Sequence, residues 1–196
     1  MDLTQGTTKE KKGRAKKMML WFGIASLIMS FGGLTSAFIV SSTREDWLFN
    51  FKLPESFTYS TLIIFSSSIV LFISKKALKK EQYFLSLATL IGTFILGLAF
   101  IFTQFSGFSE LIASGYNFTG PTSNITMSYI YVIAVVHILH VVAGLISLSV
   151  TIINHLQSRY SPSKILGFEL AETFWHFIDI LWLYLFFFLY FFNKIN

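Results

Sequence analysis

The chain has 196 residues, 54% of them hydrophobic, 18% aromatic and 13% charged, with a net charge of +5. A soluble domain of this size carries about 25% charged residues, so this composition fits a chain solvated mainly by lipid. There are no cysteines, which excludes disulfides, thiolate metal sites and cysteine nucleophiles.

The first feature in chain order is the basic run Lys-Glu-Lys-Lys-Gly-Arg-Ala-Lys-Lys at 9–17. Such a run suits nucleic acid or anionic lipid. Its place directly before an apolar stretch favours lipid contact and orientation signalling over nucleic acid. The stretch that follows is too long for the apolar region of a signal peptide and lacks a convincing cleavage site, so it is expected to stay as a helix.

Five apolar stretches, at 18–40, 57–74, 83–105, 126–154 and 168–192, are each long enough to cross about 30 Å of hydrocarbon. The predicted fold is therefore all-α: a basic cytoplasmic tail over 1–17, then a five-helix transmembrane domain over 18–196. The second stretch is the shortest and most polar. Its Ser66, Ser67 and Ser68 suit bonds to helix carbonyls or close approach of a neighbouring helix. Gly32, Gly33, Ser36 and Ala37 on the first stretch and Gly144 on the fourth also suggest close helix approach.

Cationic residues alternate between linkers. Lys75, Lys76, Lys79 and Lys80 lie between helices 2 and 3, and Arg159 and Lys164 between helices 4 and 5. The 41–56 linker holds only Arg44 and Lys52, and the 106–125 linker holds no Lys or Arg. By the positive-inside rule the N-terminus faces the cytoplasm and the C-terminus the opposite side. Pro54 and Pro121 fall in the external linkers, where a missing N–H costs little. Asn117-Phe118-Thr119 and Asn124-Ile125-Thr126 match the glycosylation pattern and are read as chance matches.

Ionisable groups at membrane depth each need an account. They are confined to the last two helices: His137 and His140 on helix 4, and Glu169, Glu172, His176 and Asp179 on helix 5. The helix 5 groups are spaced by three, four and three residues, which puts all four on one face. Three readings compete: a His/carboxylate metal site, a proton path, and an interhelical hydrogen-bond network that fixes packing. The third is preferred, because the upper carboxylates lie near the membrane edge and the stripe does not continue onto helices 1 to 3. The short linker between helices 4 and 5 favours antiparallel contact, which predicts His140 beside Asp179 or His176 with no metal between them.

The helix 5 string Gly167-Phe168-Glu169-Leu170-Ala171-Glu172-Thr173-Phe174-Trp175-His176-Phe177-Ile178-Asp179-Ile180-Leu181-Trp182 resembles the signature of subunit III of the haem-copper oxidases, Phe-Glu followed by Trp-His-Phe-Val-Asp-Val-Val-Trp. The run His137-Ile138-Leu139-His140-Val141-Val142-Ala143-Gly144-Leu145 resembles that family's His-Gly-x-His-Val-x-x-Gly-Leu. Helix 1, from Leu20-Trp21-Phe22-Gly23 through Phe31-Gly32-Gly33-Leu34, and the stretch Gly97 to Gln104 on helix 3 are weaker matches. There are departures. Leu27 stands where the family has a glutamate after serine, and Gln104-Phe105-Ser106-Gly107 stands where it has Gln-x-x-Glu. Ile138-Leu139 replaces Gly-x, and Glu172 falls where a small residue is common.

The resemblance implies a five-helix accessory subunit III in a bacterial plasma membrane, with no cofactor of its own and no catalytic or metal-ligating residue. Haems and copper would sit in partner subunits. Subunit I would be the main contact, with subunit II, other oxidase subunits and a respiratory supercomplex around it. It further implies bound phospholipid and support of proton uptake. The electron donor, cytochrome c or quinol, stays open. A small ion- or proton-conducting protein is the alternative from another class, though no internal repeat supports it. A membrane metalloenzyme of the His/Glu type is a third.

Overall fold

The computed structural model describes residues 7–49, 53–120, 123–162 and 164–195, with side chains to 192. The described residues form five helices: α1 Thr8–Ser41, α2 Glu55–Lys79, α3 Tyr83–Ala113, α4 Ile125–Leu156 and α5 Leu166–Ile195. All five are long and apolar enough to cross a membrane. The chain is a multi-pass membrane protein. Pro121 lies outside the described residues, and Pro54 forms the N-cap of α2.

The helices are longer than the apolar stretches. The basic run 9–17 is the first part of α1 and continuous with the apolar stretch. Thr7 caps it: its hydroxyl accepts from the Glu10 N–H, and the Glu10 carboxylate accepts from the Thr7 N–H at 2.7 Å. That reciprocal pair satisfies two of the free donors of the first turn and starts the helix ten residues before the apolar stretch. Lys75, Lys76 and Lys79 likewise lie on α2, where cations suit the negative end of the helix dipole. Hydropathy marks where a helix meets lipid, whereas caps and dipoles mark where it ends.

Packing follows a ring. α2 touches α3 and α5, and α4 touches α3 and α5, so these four helices close on one another. α1 lies outside the ring against α4 and α5. The α2–α3 hairpin turns within three residues, with Glu81 in the left-handed region at φ 61°. Indole and phenyl rings fill the centre: Trp175, Trp182, Phe57 and Phe100 are all at most 1% exposed. The outer faces are apolar too, with Phe22 73%, Phe84 86% and Phe102 76% exposed, as lipid contact requires.

Two glycines make room for the central indole. A Cβ on Gly97 would come 2.6 Å from the Trp175 ring, and one on Gly144 would come 3.0 Å from it. α3 and α4 thus approach the Trp175 face of α5 through backbone. Gly32 and Gly33 have open space around them. They therefore do not serve helix approach within this chain. At the other end, the loop after α1 folds back through Trp47, whose ring lies 4.8 Å from that of Phe38. Arg44 hydrogen-bonds Asp46 in this loop and holds its carboxyl below the usual carboxylate range.

Candidate functional site

The polar stripe of α5 faces α2 and α1. Glu169 sits at its first turn and pairs with Lys17 of α1 at 3.0 Å. One turn on, Glu172 is 5% exposed and pairs with Lys75 of α2 at 2.5 Å. Its other oxygen lies 3.8 Å from His176 Nε2. His176 Nδ1 is 2.9 Å from the hydroxyl of Ser68. The same hydroxyl is hydrogen-bonded to Oδ2 of Asp179, a residue 2% exposed. Ser67 lies 3.4 Å from that oxygen, bonds the Ile64 carbonyl at 2.7 Å and accepts from Trp175 Nε1 at 3.0 Å. Trp182 Nε1 donates to Thr61 at 3.0 Å. A polar seam therefore runs from Lys75 at the end of α2 to the indole of Trp175 in the core, with one 3.8 Å step between Glu172 and His176.

The seam is open on one side. A cavity of about 470 Å³ between α1, α2 and α5 is lined by Trp21, Phe72, Lys75, Glu172 and His176, among others. Lys17, Lys75 and Glu169 line a smaller hollow of about 260 Å³ at its end.

The histidines of α4 lie elsewhere. His140 Nδ1 bonds the Val136 carbonyl of its own helix at 2.7 Å, and its ring meets Phe31 at 5.7 Å. His137 is fully buried among the rings of Phe31, Phe100 and Trp182, the last at 5.0 Å, and has no hydrogen-bond partner among the described residues. The expected pairing of His140 with Asp179 or His176 is therefore not formed. α4 and α5 do pack together, but α5 is turned so that Trp175 and Ile178 meet Gly144 of α4. The turn that seats the indole sends Asp179 and His176 to α2. The partners missing from the sequence reading are Ser67, Ser68 and Lys75. The triple serine was their signal, legible as a polar spot but not as the mate of a particular stripe.

A second acidic spot lies at the other end of the bundle, where Glu110 near the end of α3 accepts from Ser56 of α2. Leu27 is half-buried on α1. Among the described residues, no three His, Asp or Glu side chains converge at metal-ligating range.

Comparison with known proteins agrees with the α5 and α4 motifs. The family model described as cytochrome c oxidase subunit III matches residues 49–194. The chain is 32% identical to cytochrome c oxidase subunit 3 of Thermostichus vulcanus, over 88% of this chain and 84% of that one. It is 31% identical to cytochrome bo(3) ubiquinol oxidase subunit 3 of Buchnera aphidicola subsp. Baizongia pistaciae, over 67% of this chain and 64% of that one. It is 22% identical to the haem-copper oxidase subunit I+III of Aeropyrum pernix, over 83% of this chain and 21% of that one. The matched part thus spans less than two thirds of some relatives and most of others. The family match covers three quarters of the chain and includes both helices that carry the motifs, so the chain belongs to the cytochrome c oxidase subunit III family.

Proposed function

We propose that this chain is the accessory subunit of a respiratory haem-copper oxidase, a complex that reduces oxygen to water while moving protons. The observation that carries the reading is the Trp175 to Trp182 run. It matches the family signature, and its two indoles lock α5 to α2 through Ser67 and Thr61. The motif residues thus act as packing and hydrogen-bonding elements, which fits a subunit that is itself non-catalytic and cofactor-free, with haems and copper in its partners. Subunit I is the main contact, and the fused subunit I+III relative supports that choice. Subunit II, the remaining oxidase subunits and a respiratory supercomplex are the further surroundings. The hollow between α1, α2 and α5 suits a phospholipid, with Lys17 and Lys75 at its charged end and Trp21 and Phe72 along its wall. The chain spans a bacterial plasma membrane with its N-terminus and the Lys75–Lys80 cluster at the cytoplasmic face. Its contribution to the complex is support of subunit I, lipid retention and proton uptake.

Purification from native membranes through a tag on this chain tests the reading. A haem-bearing partner with a reduced-minus-oxidised absorbance spectrum is expected, and a chain that migrates without one overturns it. One relative's name makes ubiquinol the second candidate donor. Oxygen uptake by the purified complex with reduced cytochrome c or with a quinol decides between them.

A further inference from the structure

All the charge of α1 lies in its first ten residues, 8–17, and that segment stands clear of the apolar span. The helix is continuous, so its rise fixes the height of each side chain. At 1.5 Å per residue, Lys12 lies about 9 Å and Lys9 about 14 Å beyond Met18, where the apolar stretch begins. The headgroup layer on one side of a bilayer is about 5–8 Å thick. A helix tilt of about 20° shortens these heights by under about 1 Å. Lys9 and Lys12 therefore stand past the headgroups, and only the foot of the segment lies among them. The segment is also unfit to lie flat on the bilayer. Ala15 is its one apolar side chain, so it has no apolar face to bury.

Three contacts hold the segment as a rod. The Thr7–Glu10 capping box keeps its tip helical. Gly13 lies against the first residue of α5, where a Cβ would come 3.3 Å from a Leu166 methyl. Lys17 pairs with Glu169 at 3.0 Å. Lys9, Lys12 and Lys16 are separated by three and four residues, so they share one flank, and all three are exposed. None of them forms an ion pair among the described residues. The described carboxylates at this end of the bundle are committed elsewhere. Glu10 accepts from Thr7, Glu169 pairs with Lys17 and Glu172 with Lys75, while Glu81 lies in the α2–α3 turn. Like charges at this spacing repel one another along a helix. Orientation signalling needs the charge of such a run, but not a rigid helix that carries it beyond the lipid.

We propose that the α1 rod is a docking surface for an acidic segment of a neighbouring subunit, recognised at the cytoplasmic face through Lys9, Lys12 and Lys16. The fitting partner is a helix with Asp or Glu at the same spacing of three and four residues, whose carboxylates meet the three ammonium groups one to one. Height and rigidity favour a protein over a membrane as the partner. The proposal rests on the reading above only for the presence of a complex.

A water-soluble carbodiimide, applied to the complex purified through a tag on this chain, tests it. The reagent joins a lysine amine to a carboxylate already in contact with it, and the water lost in forming the amide converts the carbodiimide to a urea. Mass spectrometry of the digest is expected to find amides from Lys9, Lys12 or Lys16 to an Asp or Glu of another chain, and none from Lys11 on a different flank. Lys9→Gln with Lys16→Gln leaves Lys12 in place and removes two exposed charge pairs, so the amide yield at Lys12 should fall by roughly fivefold. Lys9→Arg with Lys16→Arg keeps the charge and should hold the yield. Both variants retain Lys11, Arg14 and Lys17 for orientation. No amide to another chain, amides at Lys11 as abundant as on the flank, or equal yields in the glutamine and arginine variants overturns the proposal. Anionic phospholipid lost from the glutamine variant, with no amide to another chain in the wild type, would make the membrane the partner and overturn it too. The haem spectrum of the same preparation is scored separately. A preparation without haem fails the parent reading, whereas a haem-bearing complex without the amides fails this one alone.

Discussion

Gly97→Ala is a small change that should strike the centre of the fold. The added Cβ would sit 2.6 Å from Trp175 Cη2 and 2.8 Å from a Leu145 methyl. Neither neighbour has room to give. The indole is fully buried, held by Ser67 at one edge and by the Gly144 backbone on its face. Overpacking of this kind costs about 1–3 kcal/mol, and the tight contact on a rigid ring puts this site near the top of that range. Alanine returns about 1 kcal/mol as a better helix former. The net expectation is a loss of about 2 kcal/mol, or a fall in melting midpoint of roughly 4–8 °C for a chain of this length. Gly32→Ala, with nothing within 4 Å of its Cβ, is the internal control. It has the propensity gain without the clash, so its midpoint should hold or rise. Thermal unfolding of the two variants in the same detergent, followed by tryptophan fluorescence, gives the comparison. Equal midpoints for Gly97→Ala and the wild type would refute the close packing of α3 on the Trp175 ring.

Three further outcomes follow from the seam and the bundle. Lys75→Ala should destabilise more than Glu172→Ala, by about 1 kcal/mol or more in denaturant titration. Removing the lysine strands a carboxylate whose side chain is 6% exposed, whereas a lysine left at 25% can extend its ammonium to water. The native chain has no cysteine, so single cysteines report cleanly on sidedness. Lys80→Cys should react with an impermeant maleimide only from the cytoplasmic side and Ser114→Cys only from outside, and the reverse pattern would invert the topology. His137→Phe should leave the unfolding free energy within about 1 kcal/mol of the wild type, because the ring already sits among Phe31, Phe100 and Trp182 and has no hydrogen-bond partner among the described residues. A larger loss would mean that His137 takes part in polar contacts that the ring packing does not explain.

The fold was legible because lipid imposes one rule on every residue of a span. Five apolar stretches therefore gave five helices, and alternating lysines gave an expected sidedness. What hydropathy missed was where several helices end, although it placed the start of α3 at Tyr83. The Thr7–Glu10 capping box and the lysines closing α2 work by hydrogen bonds and dipoles, to which a hydropathy window is blind. The one-sidedness of Glu169, Glu172, His176 and Asp179 was legible from spacing alone. Which helix that side meets was not, because spacing fixes relative angles on one helix and says nothing of its rotation against the next. The rotation is set by bulk. Trp175 fills the gap that Gly97 and Gly144 leave, and seating it there turns the polar face to α2. In the sequence Gly144 is a point of close approach and Trp175 a motif aromatic, and no spacing ties one to the other. Taken together, an indole and two glycines on different helices are a rotational key. The position of the Asp179 carboxyl beside Ser68, and with it the chemistry open to that carboxyl, is a consequence of where an apolar ring fits.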